Sequence, residues 1–350
     1  MKLSIDLPFP TLEHPVDYSS HLLFLGSCFA SAVGERFSRV KFDTCVNPFG
    51  VLFNPYSVLD AVDRIVQCRH FRAEDFFESD GRYLSLALHS DHSYPDLATA
   101  LREVNALIDR LHTQVPQWTH VFLTFGTAQV YRYRPTGEIC ANCHKIPQRE
   151  FSKERMSVGQ IVAMARRTQE ALRAVNPGVT IVYTVSPVRY LDEGPLGNSA
   201  SKGVLFCAVE ELTGSREQVY LPVYEYIMDQ LRDYRFFGPD LVHPNELAVD
   251  CLWERLAPVL FSRPTQQAIG EVEAVVRAAD HRPFHPEGEG YRRHCQGSME
   301  RIRALNPLSF LGFFPGRGGF YRPEVTFSFP LDHRGRWPGK KVHADGSRVR

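Results

Sequence analysis

No run of eighteen apolar residues occurs in the 350-residue chain, so no stretch of it is long enough to span a bilayer as a helix. Excess charge of either sign is also missing: lysine plus arginine count 40, and aspartate plus glutamate count 40. That balance argues against a general binder of nucleic acid or of membrane surfaces. Neither a Walker A sequence nor G-x-G-x-x-G is found, so no nucleotide cofactor is indicated, and no cofactor is expected. No internal repeat is evident. The opening residues Met1–Pro8 carry Asp6 and Pro8 where an export signal needs an apolar stretch, which points to a cytoplasmic protein. In that compartment the eight cysteines should be mostly reduced. Most would then act as small hydrophobes, leaving a few candidates for ligation or nucleophilic attack.

What is present is an ordinary globular composition. Its hydrophobic fraction of 43% excludes a disordered chain, and a chain of this length needs no disulfides for stability. Short apolar runs alternate with helical spacing. His21–Leu25, Thr119–Phe125, Val179–Val185 and Val219–Leu221 read as buried strands. Helical patterns cover Phe29–Val40, Pro55–Cys68, Asp96–Leu111, Ser152–Val175, Tyr224–Asp233, Glu246–Phe261 and Gln266–Ala279. Tyr131–Tyr133 and Glu138–Cys140 suggest a hairpin, Phe71–Pro95 reads as irregular, and Leu191–Lys202 reads as a loop followed by a helix. Strands separated by helices imply a mostly parallel α/β sheet. Composition shifts near Ser262-Arg263-Pro264. This divides the chain into a domain over 1–262 and an extension over 263–350, a helix and then an irregular basic tail.

In an open α/β sheet the site lies beyond the carboxyl ends of the strands. There the chain places Gly26-Ser27-Cys28, then Gly126-Thr127-Ala128, then Ser186-Pro187-Val188-Arg189, and, before a later helix, Asp240 through Asn245. A thiol or hydroxyl is a weak nucleophile at neutral pH until a base takes its proton. Histidine suits that task, and a carboxylate on its other ring nitrogen fixes the tautomer. Asp240 and His243 are one tight turn apart, and Cys28 or Ser27 would sit where a strand turns into a helix. The N-terminus of that helix stabilises a thiolate or an oxyanion.

Gly26-Ser27-Cys28-Phe29-Ala30 spells GSCFA, and the chain resembles the GSCFA family, which groups with the SGNH/GDSL-type hydrolases. Further similar blocks are Val46–Gly50, Phe125–Ala128 with Val130-Tyr131, Asn142–Pro147, Val185–Arg189, Asn198–Lys202, Asp233–Phe236 and Asp240–Pro244. The likeness covers roughly 15–260 and does not extend into the last ninety or so residues. It implies a three-layer flavodoxin-like sandwich and an esterase or acyltransferase site. Laid on the parent Gly-Asp-Ser pattern, Cys28 falls at the nucleophile, with Ser27 as the rival. The oxyanion donors would be backbone N–H groups of Cys28, Gly50 and the Gly126-Thr127 turn. The parent asparagine is Thr127 here, so Asn47 or Asn142 would supply the amide. His144 and His89 would line the pocket. Arg189 and Lys202 follow the third strand, where each would either bind a carboxylate or phosphate of the substrate or form a solvated salt bridge.

The expected activity is acyl-group hydrolysis or transfer through an acyl-enzyme, on a small-molecule ester, thioester or acylated saccharide. The alternative is a non-catalytic carbohydrate- or lipid-binding module on the same scaffold. Cys140-Ala141-Asn142-Cys143-His144 fits the C-x-x-C-H haem pattern, but no export signal accompanies it, and haem is set aside. Zinc there would need two more ligands, for which His89 and His92 are unconvincing, so no metal is expected.

Overall fold

The structure, a computed structural model, describes residues 6–281 and 288–305. In chain order the elements are β1 His21–Gly26, α1 Cys28–Arg39, β2 Asp43–Val46, α2 Pro55–Val66, β3 Phe77–Ser79 and β4 Arg82–Leu84. Next come α3 Leu97–Gln114, β5 His120–Phe125, β6 Gln129–Tyr133, β7 Ile139–Cys140, β8 Phe151–Arg155 and α4 Val158–Val175. The chain continues with β9 Thr180–Val185, α5 Gly194–Leu212, β10 Gln218–Tyr220, α6 Val223–Glu225, α7 Glu246–Leu260, α8 Arg263–Asp280 and α9 Glu289–Leu305.

The central sheet has five parallel strands in the order β10-β9-β5-β1-β2. Counted along the chain this is 2-1-3-4-5, the flavodoxin-like order. Side-chain alternation feeds two cores. On β1, Leu23 and Leu25 face a core built with α2, α3, α4 and α5, while Leu22 and Phe24 face one built with α1, α7 and α8. Each buried aliphatic or phenyl side chain contributes about 1.5–3 kcal/mol of transfer free energy. Burial of both faces explains why β1, β5 and β9 carry successive rather than alternating apolar residues, at Leu22–Leu25, Val121–Leu123 and Ile181–Tyr183. The outer strands β2 and β10 have only four and three residues.

Local chemistry sets the helix starts. Asn54 Oδ1 accepts from the Ser57 amide at 2.8 Å with Pro55 in the first turn, and Asp96 Oδ1 accepts from the Thr99 amide at 2.7 Å. Ser157 and Gln160 form a capping box at α4.

Several expectations need correction. Ser152 does not begin a helix: Phe151–Arg155 is a strand paired with β6, completing a small antiparallel β7-β6-β8 sheet. Phe71–Pro95 contains the β3-β4 hairpin. The helix expected after Lys202 starts at Gly194, so Lys202 lies inside α5. Tyr224–Asp233 is a short α-turn running into a π-helix at Tyr226–Leu231. The region after His281, expected to be irregular, contains α9. The basic segment Gly335–Arg350 lies outside the described residues.

The strand order reverses between β1 and β5, which opens a crevice at their carboxyl ends. Gly26 closes β1 there at φ 145°, and a Cβ on it would lie 2.2 Å from the Thr124 carbonyl oxygen. Gly26→Ala is therefore expected to destabilise by about 2–4 kcal/mol, because strain at positive φ adds to a backbone clash. Urea unfolding measures this, and a midpoint equal to wild type would contradict it.

Candidate active site

Ser27 precedes α1 in extended backbone, and Cys28 is its first helical residue. The loop after β2 wraps the end of β1. The Gly26 amide donates to Asn47 Oδ1 at 2.8 Å, Asn47 Nδ2 donates to Ser31 Oγ at 2.8 Å, and the Leu52 amide donates to the Gly26 carbonyl at 2.8 Å. The two candidate nucleophiles differ in environment. Ser27 is buried, and its hydroxyl has no hydrogen-bond partner among the described residues. Cys28 is half-buried. Burial raises the Cys28 pKa, while the amides of Phe29 and Cys28 and the Lys202 ammonium pull it down and Asp240 pushes it up. The balance leaves the thiol above its ordinary value.

Asp240 and His243 occupy a loop cinched at both ends. The Gly238 amide donates to the His243 carbonyl at 2.7 Å, and Asn245 Nδ2 donates to the Arg235 carbonyl at 2.7 Å. Asn245 Oδ1 also caps α7 by accepting from the Ala248 amide at 3.1 Å. Asp240 Oδ1 accepts from the amides of Val242 and His243, each at 3.0 Å, across a left-handed Leu241. Asp240 Oδ2 meets His243 Nδ1 at 2.6 Å. The amides of His243 and Val242, followed by the imidazole, hold the Asp240 carboxyl down at about 2. An ionised carboxylate only accepts, so Nδ1 carries the proton and Nε2 is left as the basic nitrogen. Both side chains remain half-exposed. The Asp240 charge acts on Cys28 and works against its ionisation.

One face of α5 closes the site from below. Asn198, Ser201 and Lys202, spaced i, i+3 and i+4, are all buried. Asn198 Oδ1 accepts from the Tyr190 amide at 3.0 Å, and Ser201 Oγ accepts from the Ala128 amide at 2.7 Å. Lys202 Nζ donates to the carbonyls of Gly126 and Ser186, both at 2.6 Å. This corrects the expectation that Lys202 binds a substrate anion: it is 2% exposed and grips the backbone at the ends of β5 and β9. Polar residues repeating along one stripe of an otherwise apolar helix were the available signal, hidden by the glycines and proline of 194–197.

The expected oxyanion set also needs correction. The Gly50 amide donates to the Asn47 carbonyl at 2.8 Å. The amides of Gly126 and Thr127 donate to the Phe53 carbonyl at 2.8 and 3.0 Å. The Asn47 amide group is engaged by Ser31, as above. Asn142 Oδ1 accepts from the His144 amide at 2.8 Å, and buried His144 places Nε2 2.7 Å from the Ser85 carbonyl. Burial lowers the His144 pKa, so it is a neutral brace of the 85–90 loop. His89 packs on Gly50 and pairs with Asp91 at 3.0 Å. The donors that face the Cys28 sulfur are the N–H groups of Cys28 and Phe29. Arg189 is exposed, with no hydrogen bond or ion pair among the described residues, and its charge acts on Lys202.

Among the described residues, the three potential metal ligands brought within 4.8 Å of one another are Cys68, His70 and Asp109, not the Cys140–His144 segment. They lie on the exposed loop after α2 and on α3. No helix among the described residues is long and apolar enough to cross a membrane.

A model of the GSCFA family matches residues 21–256, and one described as GSCFA domain protein, C-terminal domain, matches 272–310. The chain belongs to the GSCFA family. The second match corrects the expectation that family likeness stops before the last ninety residues. No curated protein matches the chain.

Removing the unpartnered Ser27 hydroxyl is expected to be neutral or to stabilise by about 1 kcal/mol, because a buried hydroxyl without a partner carries a desolvation cost. Thermal melting of Ser27→Ala measures this, and a loss beyond 1 kcal/mol would contradict it. Carboxyl NMR should find Asp240 titrating near 2 rather than at its ordinary 3.8. A lowered native pKa means that the turn's stabilising contribution is complete above about pH 4 and disappears as pH falls towards 2. A midpoint near 3.8 would show that these hydrogen bonds do not hold in solution.

Proposed function

We propose that this GSCFA-family chain is an acyl-group hydrolase or acyltransferase of the SGNH type, working through an acyl-enzyme on Cys28. The observation carrying the proposal is a thiol on the first turn of α1, at the sheet's reversal point, on which the charge of Asp240, the carboxylate that orients His243, acts. His243 Nε2 takes the Cys28 proton. The sulfur attacks the acyl carbonyl carbon, and the bond to the leaving oxygen or sulfur breaks as His243 returns the proton to it. Water or an acceptor hydroxyl, amine or thiol then gives its proton to His243 and displaces the thiolate.

The helix N-terminus supports charge development at this point. The amides of Cys28 and Phe29 already face the sulfur, and oriented amides in a partly desolvated site are what an oxyanion requires. Cys28 is favoured over Ser27 because it is accessible and Ser27 is not. Exposed apolar side chains at Phe53, Leu191, Leu196, Tyr234 and Leu241 lie on the segments around the strand ends, which suits an acyl chain. Arg189, without a hydrogen bond or ion pair among the described residues, suits an anionic group on the same substrate. A small acyl ester, thioester or acylated saccharide fits this surface.

One observation favours the second reading, a non-catalytic carbohydrate- or lipid-binding module. The amides of Gly50, Gly126 and Thr127 and the Asn47 side chain already have protein partners. Intact-protein mass spectrometry with activated acyl esters and thioesters separates the two. The acyl-enzyme reading expects one adduct on Cys28, lost in Cys28→Ala, retained in Ser27→Ala and slowed about 10²–10⁴-fold in His243→Ala. Ligand binding without any adduct, unchanged in Cys28→Ala and His243→Ala, would favour the module.

A further inference from the structure

The link after α2 and the last turns of α3 bring three unlike side chains to one point. Cys68 Sγ lies 3.5 Å from Asp109 Oδ1 and 3.9 Å from His70 Nε2, and His70 Nε2 lies 2.6 Å from that same Asp109 Oδ1. The atoms that meet do not suit a catalytic relay: the nucleophile and the acid of a triad take opposite ring nitrogens, and here both meet Nε2. An ordinary surface ion pair accounts for His70 and Asp109 but leaves the sulfur unexplained. Cys68 takes φ 50°, the left-handed position just past a helix end that glycine usually fills. A thiol is thus held where glycine would be less strained.

The frame around these donors is built from other contacts. Asn105, Asp109 and His112 stand at i, i+4 and i+7 on α3, one face of the helix. Asn105 Oδ1 accepts from the Phe71 amide at 2.8 Å, and its Nδ2 donates to the Phe71 carbonyl at 3.0 Å. His112 Nδ1 meets the Ile65 carbonyl at 3.0 Å. The link is therefore clamped to α3 on both sides of Asp109.

We propose that Cys68, His70 and Asp109 bind a zinc ion, with water as the fourth ligand. Zn–S near 2.3 Å and Zn–N and Zn–O near 2.0–2.1 Å put tetrahedral S···O, S···N and N···O separations at about 3.5, 3.6 and 3.3 Å. The two sulfur separations already agree within a few tenths of an ångström, and only the imidazole and carboxylate must spread, by under about 1 Å. One thiolate, one imidazole and one carboxylate suit Zn²⁺ better than Ca²⁺ or Mg²⁺, which take oxygen ligands. On binding, the Cys68 S–H proton leaves to solvent and the sulfur's electron pair forms the Zn–S bond. The imidazole proton that Nε2 donates to Asp109 is replaced by one on Nδ1, which frees the Nε2 lone pair for the ion. The site is remote from the candidate active site. α2 starts beside the strand carboxyl ends, where the Phe53 carbonyl accepts from the Gly126 amide, and its twelve residues carry the chain about 18 Å towards the other end. The ion therefore cross-links the α2–β3 connection to α3, and the inference does not rest on the acyl-enzyme reading.

The test titrates the reduced full-length protein with Zn²⁺ against a chromophoric chelator and, separately, with Co²⁺. Cys28→Ala is run alongside, so that binding at the other thiol and His243 is told apart. The proposal expects one Zn²⁺ per chain, kept in Cys28→Ala and held at least about tenfold more weakly in His70→Ala and Asp109→Asn. Co²⁺ should give a thiolate-to-metal charge-transfer band that disappears in Cys68→Ala. Cys68→Ser keeps a polar side chain in the turn and replaces the alanine variant if circular dichroism shows that variant unfolded. Zn²⁺ should raise the melting temperature of wild type and leave that of the folded ligand variants unchanged. No bound equivalent in wild type, or one held at wild-type strength in the folded Cys68, His70 and Asp109 variants, overturns the proposal.

Discussion

Two hydrogen bonds from a single buried ammonium hold the candidate site together. Lys202 Nζ joins the carbonyls at the ends of β5 and β9, which the sheet register brings level, since Phe125 is paired with Val185. Ser201, one residue earlier, fixes the Thr127-Ala128 turn beside them. The carbonyl of Phe53 meets that turn from the other side. Three connecting segments are thus fixed by backbone groups, and Cys28, at the end of β1, is half-buried. Burying a charge without a carboxylate partner costs stability, which evolution accepts more readily at a working site than elsewhere.

The fold was legible wherever burial left a simple pattern. β1, β5 and β9 are covered on both faces, so apolar residues follow one another in their sequences instead of alternating. β2 was not seen because Asp43-Thr44-Cys45-Val46 is short, starts with an acid and lies at the sheet edge. β8 looks like the start of a helix in sequence because Ser152-Lys153-Glu154-Arg155 is polar throughout, and only its pairing with β6 makes it a strand. α5 was entered too late because Gly194, Pro195 and Gly197 are turn residues by habit, although proline is well tolerated in a helix's first turn.

Within the site, spacing carried the Asp240–His243 turn, since three residues let a carboxylate reach both the backbone and the ring. Amide occupancy was not legible. Whether Gly50 or Thr127 has a free N–H depends on partners far along the chain, such as Phe53. The role of Lys202 is hidden in the sequence for a related reason. A lysine in a sequence suggests a solvated end, and only the packing of α5 against two strand ends reveals an ammonium facing inward. Asn47 likewise reads as a free amide, yet it is the brace that aligns Gly26 with the first turn of α1.

The central sheet ends on strands of four and three residues. A free strand edge is a template on which another extended chain can add itself, and long flat edges invite aggregation. Here each side presents so short a ledge that an incoming strand would gain few ladder hydrogen bonds before running out of partner, so the sheet guards its rims by brevity.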